Sequence, residues 1–264
     1  MIDLENAVAG YKSFRLAPTT LTFAEGRFSA LIGPNGCGKS TLLRMISRQL
    51  APLSGAVRIG GRAAAGLSQK DLARRIALLP QENIAPAGIS VADLAGYGRA
   101  PHQSLLGIAS DTDRAHVARA LHRMDLAHLA QAPVASLSGG QRQRAFLAML
   151  LAQDTPAMLF DEPTNWLDIQ HQVQVLTLIR SLAAEGRTCV AVLHDIAQAA
   201  RYADHLVVMK DGAIVAQGAP AEVVTAELVA EVYEIAVEIH PDPVSGTPVP
   251  YPCQPRSGAL AAAG

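Results

Sequence analysis

The feature that most constrains the fold is a glycine-rich segment, Gly33 to Ser40, with the sequence Gly-Pro-Asn-Gly-Cys-Gly-Lys-Ser. An apolar run typical of a buried strand, Phe28 to Ile32, comes before it, and a stretch with apolar residues at helical spacing, Thr41 to Leu50, follows it. A strand, a loop and a helix in this order match the pattern G-x-x-x-x-G-K-[ST], in which backbone N–H groups wrap a polyphosphate. The segment therefore predicts a phosphate-binding loop (P-loop) within an α/β fold.

Each part of this loop has an expected task. The glycines free backbone N–H groups for the phosphates, Lys39 reaches the β and γ phosphates, and the Ser40 hydroxyl binds Mg²⁺. The residues expected to contact the nucleotide are Gly33, Pro34, Asn35, Gly36, Cys37, Gly38, Lys39, Ser40 and Thr41. The alternative is a chance glycine-rich turn with a surface lysine, which is disfavoured because only four of the 22 basic residues are lysines.

Further strand and helix signals alternate along the chain, as in α/β folds with a largely parallel sheet. Ala157 to Phe160 and Thr188 to Leu193 are apolar runs that end in polar residues, where the ligand crevice of such a sheet lies. Asp211-Gly212, flanked by the strand signals His205 to Lys210 and Ala213 to Gln217, is typical of a two-residue hairpin turn. The sequence therefore predicts a P-loop core with a mainly parallel sheet that ends in an antiparallel ribbon.

Strand signals fade between Ile84 and Gln153, where Asp111 to Leu129 has the apolar spacing of a helix. We expect a single domain in which an α/β core, residues 1–83 and 154–240, receives an inserted helical lobe, residues 84–153. From Pro241 onward, six prolines precede an alanine-rich end. The tail, residues 241–264, is therefore expected to lack regular structure.

Two adjacent carboxylates, Asp161 and Glu162, follow the apolar run that ends at Phe160. A strand that delivers carboxylates at its C-terminal end places them beside the phosphates. Asp161 is suited to Mg²⁺, directly or through water, and Glu162 is suited to polarising the attacking water. A solvated acidic turn before Pro163 is the alternative, and the neighbouring phosphate-binding loop makes it the weaker one.

The segment Leu137 to Gln141, with the sequence Leu-Ser-Gly-Gly-Gln, predicts a second helix N-terminus that is suited to binding an anion. Ser138 is a natural N-cap for the apolar-periodic helix that follows, and the glycines expose backbone N–H groups. Ordinary capping is the commoner explanation of a single Ser-Gly-Gly segment. The residues alone leave both interpretations open.

The net charge, the apolar stretches and the cysteines limit the classes of protein to which the chain can belong. A formal net charge of −1 gives no overall electrostatic reason to expect nucleic acid as a partner. The longest helix-like apolar stretch, Ala145 to Ala152, is far shorter than the ~20 residues of a membrane-spanning helix. The three cysteines, Cys37, Cys189 and Cys253, are too scattered for a disulfide framework and indicate reduced thiols in a cytosol.

The phosphate-binding loop, Leu137 to Gln141, the Asp161-Glu162 pair and His194 stand in the order found in ABC (ATP-binding cassette) ATPases, and this resemblance covers nearly the whole chain. It implies a Mg²⁺-dependent ATPase that binds ATP and works as a homodimer. In that family the Leu-Ser-Gly-Gly-Gln segment of one subunit closes over ATP held by the other subunit. By this resemblance Ser138, Gly139, Gly140 and Gln141 contact the nucleotide across the dimer.

The resemblance also implies roles that the motifs alone leave undecided. Gln81 matches a glutamine that senses Mg²⁺ and the membrane partner, and His194 matches a histidine at the γ-phosphate. Glu162, His194 and Gln81 are thus the expected catalytic residues, and Ser40, Gln81 and Asp161 are the expected metal ligands. Tyr11 matches an aromatic residue that stacks on adenine, although an early tyrosine is more often simply packed.

The loop after the carboxylates, Asn165 to Asp168, occupies the position of the family's D-loop. The resemblance implies that Asp168 lies close to the nucleotide. Trp166 replaces the small residue more usual in the family, and its amphipathic indole suits a boundary between two subunits. The alternative is permanent packing of Trp166 within its own subunit.

Three stretches look like the ATPases of iron–siderophore importers, with haem and cobalamin importers close by: Glu162 to Ile169, Leu193 to Ala199 and Asp242 to Pro248. We therefore expect an ATP-hydrolysing subunit that powers ferric siderophore uptake from the cytoplasmic face of the inner membrane. Its expected partners are integral-membrane permease subunits and, indirectly, a substrate-binding protein, with no nucleic acid. The alternatives are a haem or cobalamin importer ATPase and a non-transport ABC ATPase, which usually carries a coiled-coil insertion or a second cassette.

Overall fold

The glycine-rich loop lies between a buried strand, Phe28–Ile32, and a helix that begins at Lys39, in agreement with the sequence pattern. The computed structural model describes residues 1–104 and 108–253. The strands are β1 (Ile2–Val8), β2 (Thr19–Phe23), β3 (Phe28–Ile32), β4 (Ser54–Ile59), β5 (Arg62–Ala63), β6 (Ile76–Leu79), β7 (Ala157–Phe160), β8 (Thr188–Val192), β9 (His205–Lys210), β10 (Ala213–Gly218), β11 (Val237–Pro241) and β12 (Pro248–Pro252). The α-helices are α1 (Lys39–Ile46), α2 (Gln69–Ala73), α3 (Val91–Tyr97), α4 (Asp111–Arg123), α5 (Gly139–Gln153), α6 (Ile169–Ala184), α7 (Ile196–Tyr202), α8 (Pro220–Val223) and α9 (Ala226–Tyr233).

The central sheet has the strand order β10-β9-β3-β8-β7-β6. The strands from β9 to β6 in this order pair in parallel, and β10 pairs antiparallel with β9 across the Asp211-Gly212 turn. β3, β7 and β8 are buried along their whole length, which is typical of parallel strands covered on both faces. The predicted fold class, a P-loop core with a mainly parallel sheet and an antiparallel ribbon, is confirmed.

The polar segments predicted to carry chemistry follow neighbouring strands of this sheet. The glycine-rich loop follows β3, His194 follows β8, and the Asp161-Glu162 pair follows β7. Gln81 follows β6, the next strand in the order. Because parallel strands present their carboxyl ends at one edge of a sheet, these side chains reach a single crevice.

A four-stranded antiparallel sheet with the order β2-β1-β4-β5 packs beside the core and was not indicated by the sequence pattern. The pairing of β1 with both of its neighbours shifts register after Leu4 and Glu5. Asn6 lies in the shifted region with a left-handed φ of 45°. Such a bulge breaks the alternation of apolar and polar residues by which a half-buried strand is recognised.

Helices α3, α4 and α5 occupy the segment predicted as a helical lobe. Their inner faces share one buried cluster with Phe28, Ala30 and Ile32 of β3, so the lobe and the central sheet have a continuous apolar core. The helix predicted over Asp111 to Leu129 ends earlier, at Arg123, because Asp125 adopts a left-handed φ of 53°. No helix within residues 1–104 and 108–253 is long and apolar enough to cross a membrane.

The expectation that residues 241–264 lack regular structure is wrong for Pro241, the last residue of β11, and for Pro248–Pro252, which forms β12 and pairs antiparallel with β11. The N–H of Cys253 donates to the Ala236 carbonyl at 2.9 Å, so the N–H groups of Val249 and Tyr251, at alternate positions, also face β11. The prolines of β12 alternate with these residues, at positions where an N–H group would point away from β11 to the free edge. Proline, which lacks this N–H group, is tolerated there because no hydrogen bond of the ladder is lost. Residues 254–264 lie outside the described residues.

All three cysteines are free thiols. Cys189 is buried in β8, and burial raises the pKa of its thiol to about 12. Cys37 is buried within the glycine-rich loop, and burial raises the pKa of this thiol as well. Both side chains therefore stay protonated at neutral pH and pack as small apolar groups.

Candidate active site

Lys39 is the buried cation of the glycine-rich loop, with only 5% of its surface exposed. Its Nζ donates to the carbonyl oxygens of Gly33, at 2.7 Å, and of Pro34, at 2.8 Å. Both of these acceptors are neutral, whereas a buried charge is best stabilised by a charged partner. The loop therefore holds an ammonium group that a polyphosphate satisfies better than the loop carbonyls do.

Two glycines give the loop its shape. Gly33 has a φ of 144°, and a Cβ atom there would lie 2.1 Å from the carbonyl oxygen of Met209. Gly38, with a φ of 106°, is the N-cap residue of α1 and supplies no side-chain cap to it. The N-terminal N–H groups of α1, together with the positive end of the helix, are therefore suited to an anion.

A cavity of about 150 Å³ lies over the loop. Its lining comprises Phe14, Asn35, Gly36, Gly38, Lys39, Ser40, Thr41 and Glu162. The structure thus brings six of the nine residues predicted to bind the nucleotide through the glycine-rich loop into one cavity with the predicted catalytic carboxylate.

The aromatic side chain at this cavity is Phe14, which the sequence did not single out. Its ring contacts Gly38, with Cζ 2.9 Å from the place a Cβ atom would take. Tyr11 lies outside the lining, 44% exposed, and its hydroxyl accepts a hydrogen bond from Arg44 at 3.3 Å. Stacking of Tyr11 on adenine stays a prediction, and no local motif in the sequence indicates Phe14.

Asp161 lies at the end of β7, where its Oδ1 accepts a hydrogen bond from the Ser40 hydroxyl at 2.9 Å. Burial raises the pKa of this carboxyl, and the charge of Glu162 adds to the increase, while the Ser40 hydrogen bond opposes it. A divalent cation beside Asp161 would counteract the increase because it stabilises the ionised form.

The side chains around Asp161 fit Mg²⁺. Ser40, Asp161 and Gln81 offer oxygen atoms, and Gln81 and Asp161 line the same groove. Within residues 1–104 and 108–253, no cluster of three His, Cys, Asp or Glu side chains could hold a metal by itself. This combination is typical of Mg²⁺, which binds through one or two carboxylates and substrate phosphates rather than in an all-protein cage.

Glu162 is the centre of a small polar cluster. Gln81 Nε2 donates to Glu162 Oε2 at 2.8 Å, and His194 Nε2 lies 2.9 Å from Glu162 Oε1. Asn165 Nδ2 donates to the same Oε2 atom. The structure thus brings together the three residues predicted as catalytic, and it adds Asn165, which no sequence signal identified.

The Leu137 to Gln141 segment caps α5. Ser138 Oγ accepts from the Gln141 N–H at 3.3 Å, and Gln141 Oε1 accepts from the Ser138 N–H at 3.0 Å. Ser138 and Gly139 are exposed. Residues 137–141 do not contribute to the lining of the cavity over the glycine-rich loop of the same chain. The capped helix end therefore faces outward, where another molecule can reach it.

In the D-loop, Asp168 is the N-cap residue of α6. Its Oδ1 accepts from the His171 N–H at 2.9 Å and lies 2.7 Å from His171 Nδ1. These contacts lower the pKa of Asp168, the backbone hydrogen bond most of all. Trp166 is 99% exposed, so the alternative of permanent packing within its own subunit does not hold. Contact of Asp168 with a nucleotide stays a prediction.

Comparisons with known proteins identify the family of the chain. The family model for ABC transporters matches residues 16–165, which include the glycine-rich loop and the Asp161-Glu162 pair. The ferric enterobactin transport ATP-binding protein FepC of Escherichia coli is 48% identical over 250 residues, or 94% of this chain and 92% of FepC.

Solved structures lead to the same family. An inward-facing ABC transporter of metal-chelate type is similar with a TM-score of 0.84 and 26% identity, over 96% of this chain and 97% of the other. The dimeric structure of MJ0796, a bacterial ABC transporter cassette, is similar with a TM-score of 0.73 and 28% identity, over 83% of this chain and 98% of the other. The chain therefore belongs to the ABC transporter family, as one of its ATP-hydrolysing subunits.

Proposed function

We propose that this chain powers the uptake of ferric siderophores across the inner membrane, as the ATPase subunit of an importer. The observation that carries the proposal is the identity with FepC over nearly the whole length of both chains. FepC is a ferric enterobactin transport protein, and the inward-facing structural relative is of metal-chelate type. Both relatives support a chelated metal as the cargo.

The site residues have complementary tasks in this proposal. The P-loop binds the phosphates of ATP, with Lys39 at the β and γ groups. Ser40, Asp161 and Gln81 would hold Mg²⁺, whose charge would offset that of the phosphates. Glu162 takes a proton from the attacking water, and general-base assistance of this kind contributes about 10²- to 10⁴-fold in rate. The shared lining of Lys39, Ser40 and Glu162 supports this division of tasks.

The second half of each site comes from another copy of the chain, in which Ser138 and Gly139 present the N-terminus of α5 to the γ-phosphate. The exposure of these residues and their absence from their own cavity lining support this arrangement, as does the similarity to a dimeric cassette. His194 contacts the γ-phosphate region, and Asp168 lies at the interface. The homodimer drives permease subunits from the cytoplasmic face, and a substrate-binding protein, which delivers the cargo to those permease subunits, is an indirect partner.

Uptake of labelled cargo tests the proposal. A strain that lacks the gene is complemented with the wild-type chain or with Lys39→Ala, and uptake of ferric siderophores, haem and cobalamin is measured. The proposal expects that only the wild-type chain restores siderophore uptake. Restored uptake of haem or cobalamin alone would assign a different cargo, and unchanged uptake of all three would favour a non-transport ABC ATPase.

A further inference from the structure

The Asn165 amide contacts the active site but has no task in the function proposed above. Its Nδ2 donates to Oε2 of Glu162, and its backbone N–H donates to the Glu162 carbonyl at 3.2 Å. Both hydrogen bonds lie within the same short turn after β7. The carboxylate and this amide donor are therefore built on one piece of backbone and move together.

The other two groups that contact the Glu162 carboxylate come from other parts of the sheet edge. Gln81 follows β6, and His194 follows β8. In the proposed function each of them turns to the nucleotide, Gln81 to Mg²⁺ and His194 to the γ-phosphate region. Of the three contacts to the carboxylate, the one from Asn165 is then the one that persists.

The loop that carries Asn165 is anchored by two helices. Gln172 of α6 donates through Nε2 to the Leu167 carbonyl at 3.0 Å. Gln143 of α5 donates through Nε2 to the Pro163 carbonyl at 3.1 Å. The backbone of the loop therefore has supports that do not depend on the Asn165 side chain.

We propose that Asn165 is a positioning residue for Glu162, in an inference that rests on the proposed role of Glu162 as general base. The amide fixes the rotation of the carboxylate by holding Oε2, so that Oε1 faces the attacking water once His194 has turned to the nucleotide. Oε1 takes the proton of the water, the water oxygen bonds to the γ-phosphorus, and ADP leaves. Asn165 acts through Glu162 and does not touch ATP.

Hydrolysis of Mg²⁺-ATP by the full-length chain, with ATP affinity measured separately, tests this role. Asn165→Ala should lower kcat by about 10- to 100-fold, because a misplacement of ~1 Å at a reacting group costs up to about 10²-fold. ATP affinity should stay within about twofold, because Asn165 does not touch ATP and orients only the group that takes the proton in the transition state. Asn165→Ser keeps a donor on the same turn and should recover most of the lost kcat.

Gln172→Ala is the matched control. It removes a side-chain donor to the same loop without touching the Glu162 carboxylate, so kcat should stay near that of the wild type. A merely structural role for Asn165 predicts the opposite: Gln172→Ala would lose as much kcat as Asn165→Ala, and Asn165→Ser would be no better than Asn165→Ala. Either result overturns the positioning role.

Glu162→Gln distinguishes failure of this inference from failure of the proposed function. If Glu162→Gln hydrolyses ATP at the wild-type rate, Glu162 is not the general base and the proposed mechanism is wrong. If Glu162→Gln is inactive while Asn165→Ala keeps the wild-type kcat, the mechanism stands and only the positioning role is wrong.

Discussion

At the residue scale, the polar groups of the site satisfy one another. Lys39 donates to the loop carbonyls, Ser40 donates to Asp161, and Gln81 donates to Glu162. Each of these donors is a residue proposed to contact phosphate or Mg²⁺. In the proposed function, nucleotide binding therefore exchanges these internal hydrogen bonds for contacts with phosphate and Mg²⁺, and the Lys39 ammonium gains a charged acceptor in place of two neutral carbonyls.

Lys39→Ala removes the charge that meets the β and γ phosphates. We expect Mg²⁺-dependent phosphate release to fall by at least about 100-fold, the cost typical of losing one such donor. Lys210→Ala is the control, because Lys210 Nζ donates to the Glu231 carbonyl at 2.6 Å and takes no part in the cavity lining. Near-normal phosphate release by Lys39→Ala would contradict the assignment of the P-loop.

The residues that could be predicted are those whose chemical role is indicated by a local sequence motif. Lys39 and the Asp161-Glu162 pair each stand at a fixed place in a strand-and-loop pattern, and the structure brings them to one crevice. Asn165 and Phe14 could not be found in this way. Asn165 is placed in the site by its contact with the Glu162 carboxylate, and Phe14 by its contact with Gly38. Such contacts appear only when the chain is folded.

At the element scale, the end of α3 and the start of α4 are joined by a buried ion pair. Arg99 Nε donates to Asp113 Oδ1 at 2.9 Å, and each of these residues is 4% exposed. Asp113 Oδ2 also accepts from the hydroxyl and the N–H of Ser110 in a capping box. The Ser110 hydrogen bonds, with a smaller effect of Arg99, lower the pKa of Asp113 to about 2.

Asp113→Asn should destabilise the protein by about 3 kcal/mol at neutral pH, because Arg99 keeps a buried charge without its partner. The pKa of Asp113 is lower in the folded state than the ~3.9 of an unfolded chain, so its carboxylate stabilises the fold above about pH 4. That stabilisation is lost as the pH falls toward the folded pKa of about 2. Urea unfolding should therefore show a difference between wild type and Asp113→Asn that shrinks below about pH 4.

Asp111→Asn is the control for this prediction. Asp111 forms an exposed ion pair with Arg114, in which the Asp111 side chain is 96% exposed. Exposed pairs contribute no more than about 1 kcal/mol, so this variant should unfold nearly as the wild type does. A large Asp113→Asn effect that does not change with pH would show that packing, and not the charge, is what the substitution disturbs.

The elements that could be predicted are those with an unbroken pattern. β3, β7 and β8 are continuous apolar runs between turn signals, and α5 has a cap sequence followed by apolar residues at helical spacing. β12 could not be predicted, because its prolines indicated irregular structure. The prolines stand at alternate positions, so every N–H group of the strand lies on the side that pairs with β11, and this pairing appears only in the folded chain.

At the scale of the whole molecule, the exposure of Trp166 predicts an optical signal of dimer formation. Trp166 is the only tryptophan of the chain, and it is 99% exposed. If the D-loop lies at the interface, ATP added to Glu162→Gln should shift the tryptophan emission to shorter wavelength, because slow hydrolysis lets the closed dimer accumulate. The shift should increase with protein concentration by mass action. An ATP-dependent dimer in light scattering with unchanged emission would place Trp166 outside the interface.

The central claim is that each ATP is hydrolysed between the P-loop of one chain and the outward-facing α5 terminus of another. It is tested by the phosphate release of mixtures of Lys39→Ala and Ser138→Arg chains, each nearly inactive alone. A mixed dimer pairs the intact P-loop of one variant with the intact Ser138 segment of the other, so one of its two sites is complete. Because half of randomly formed dimers are mixed, the mixture should reach up to about one quarter of wild-type turnover. Turnover no higher than that of the separate variants would contradict the claim.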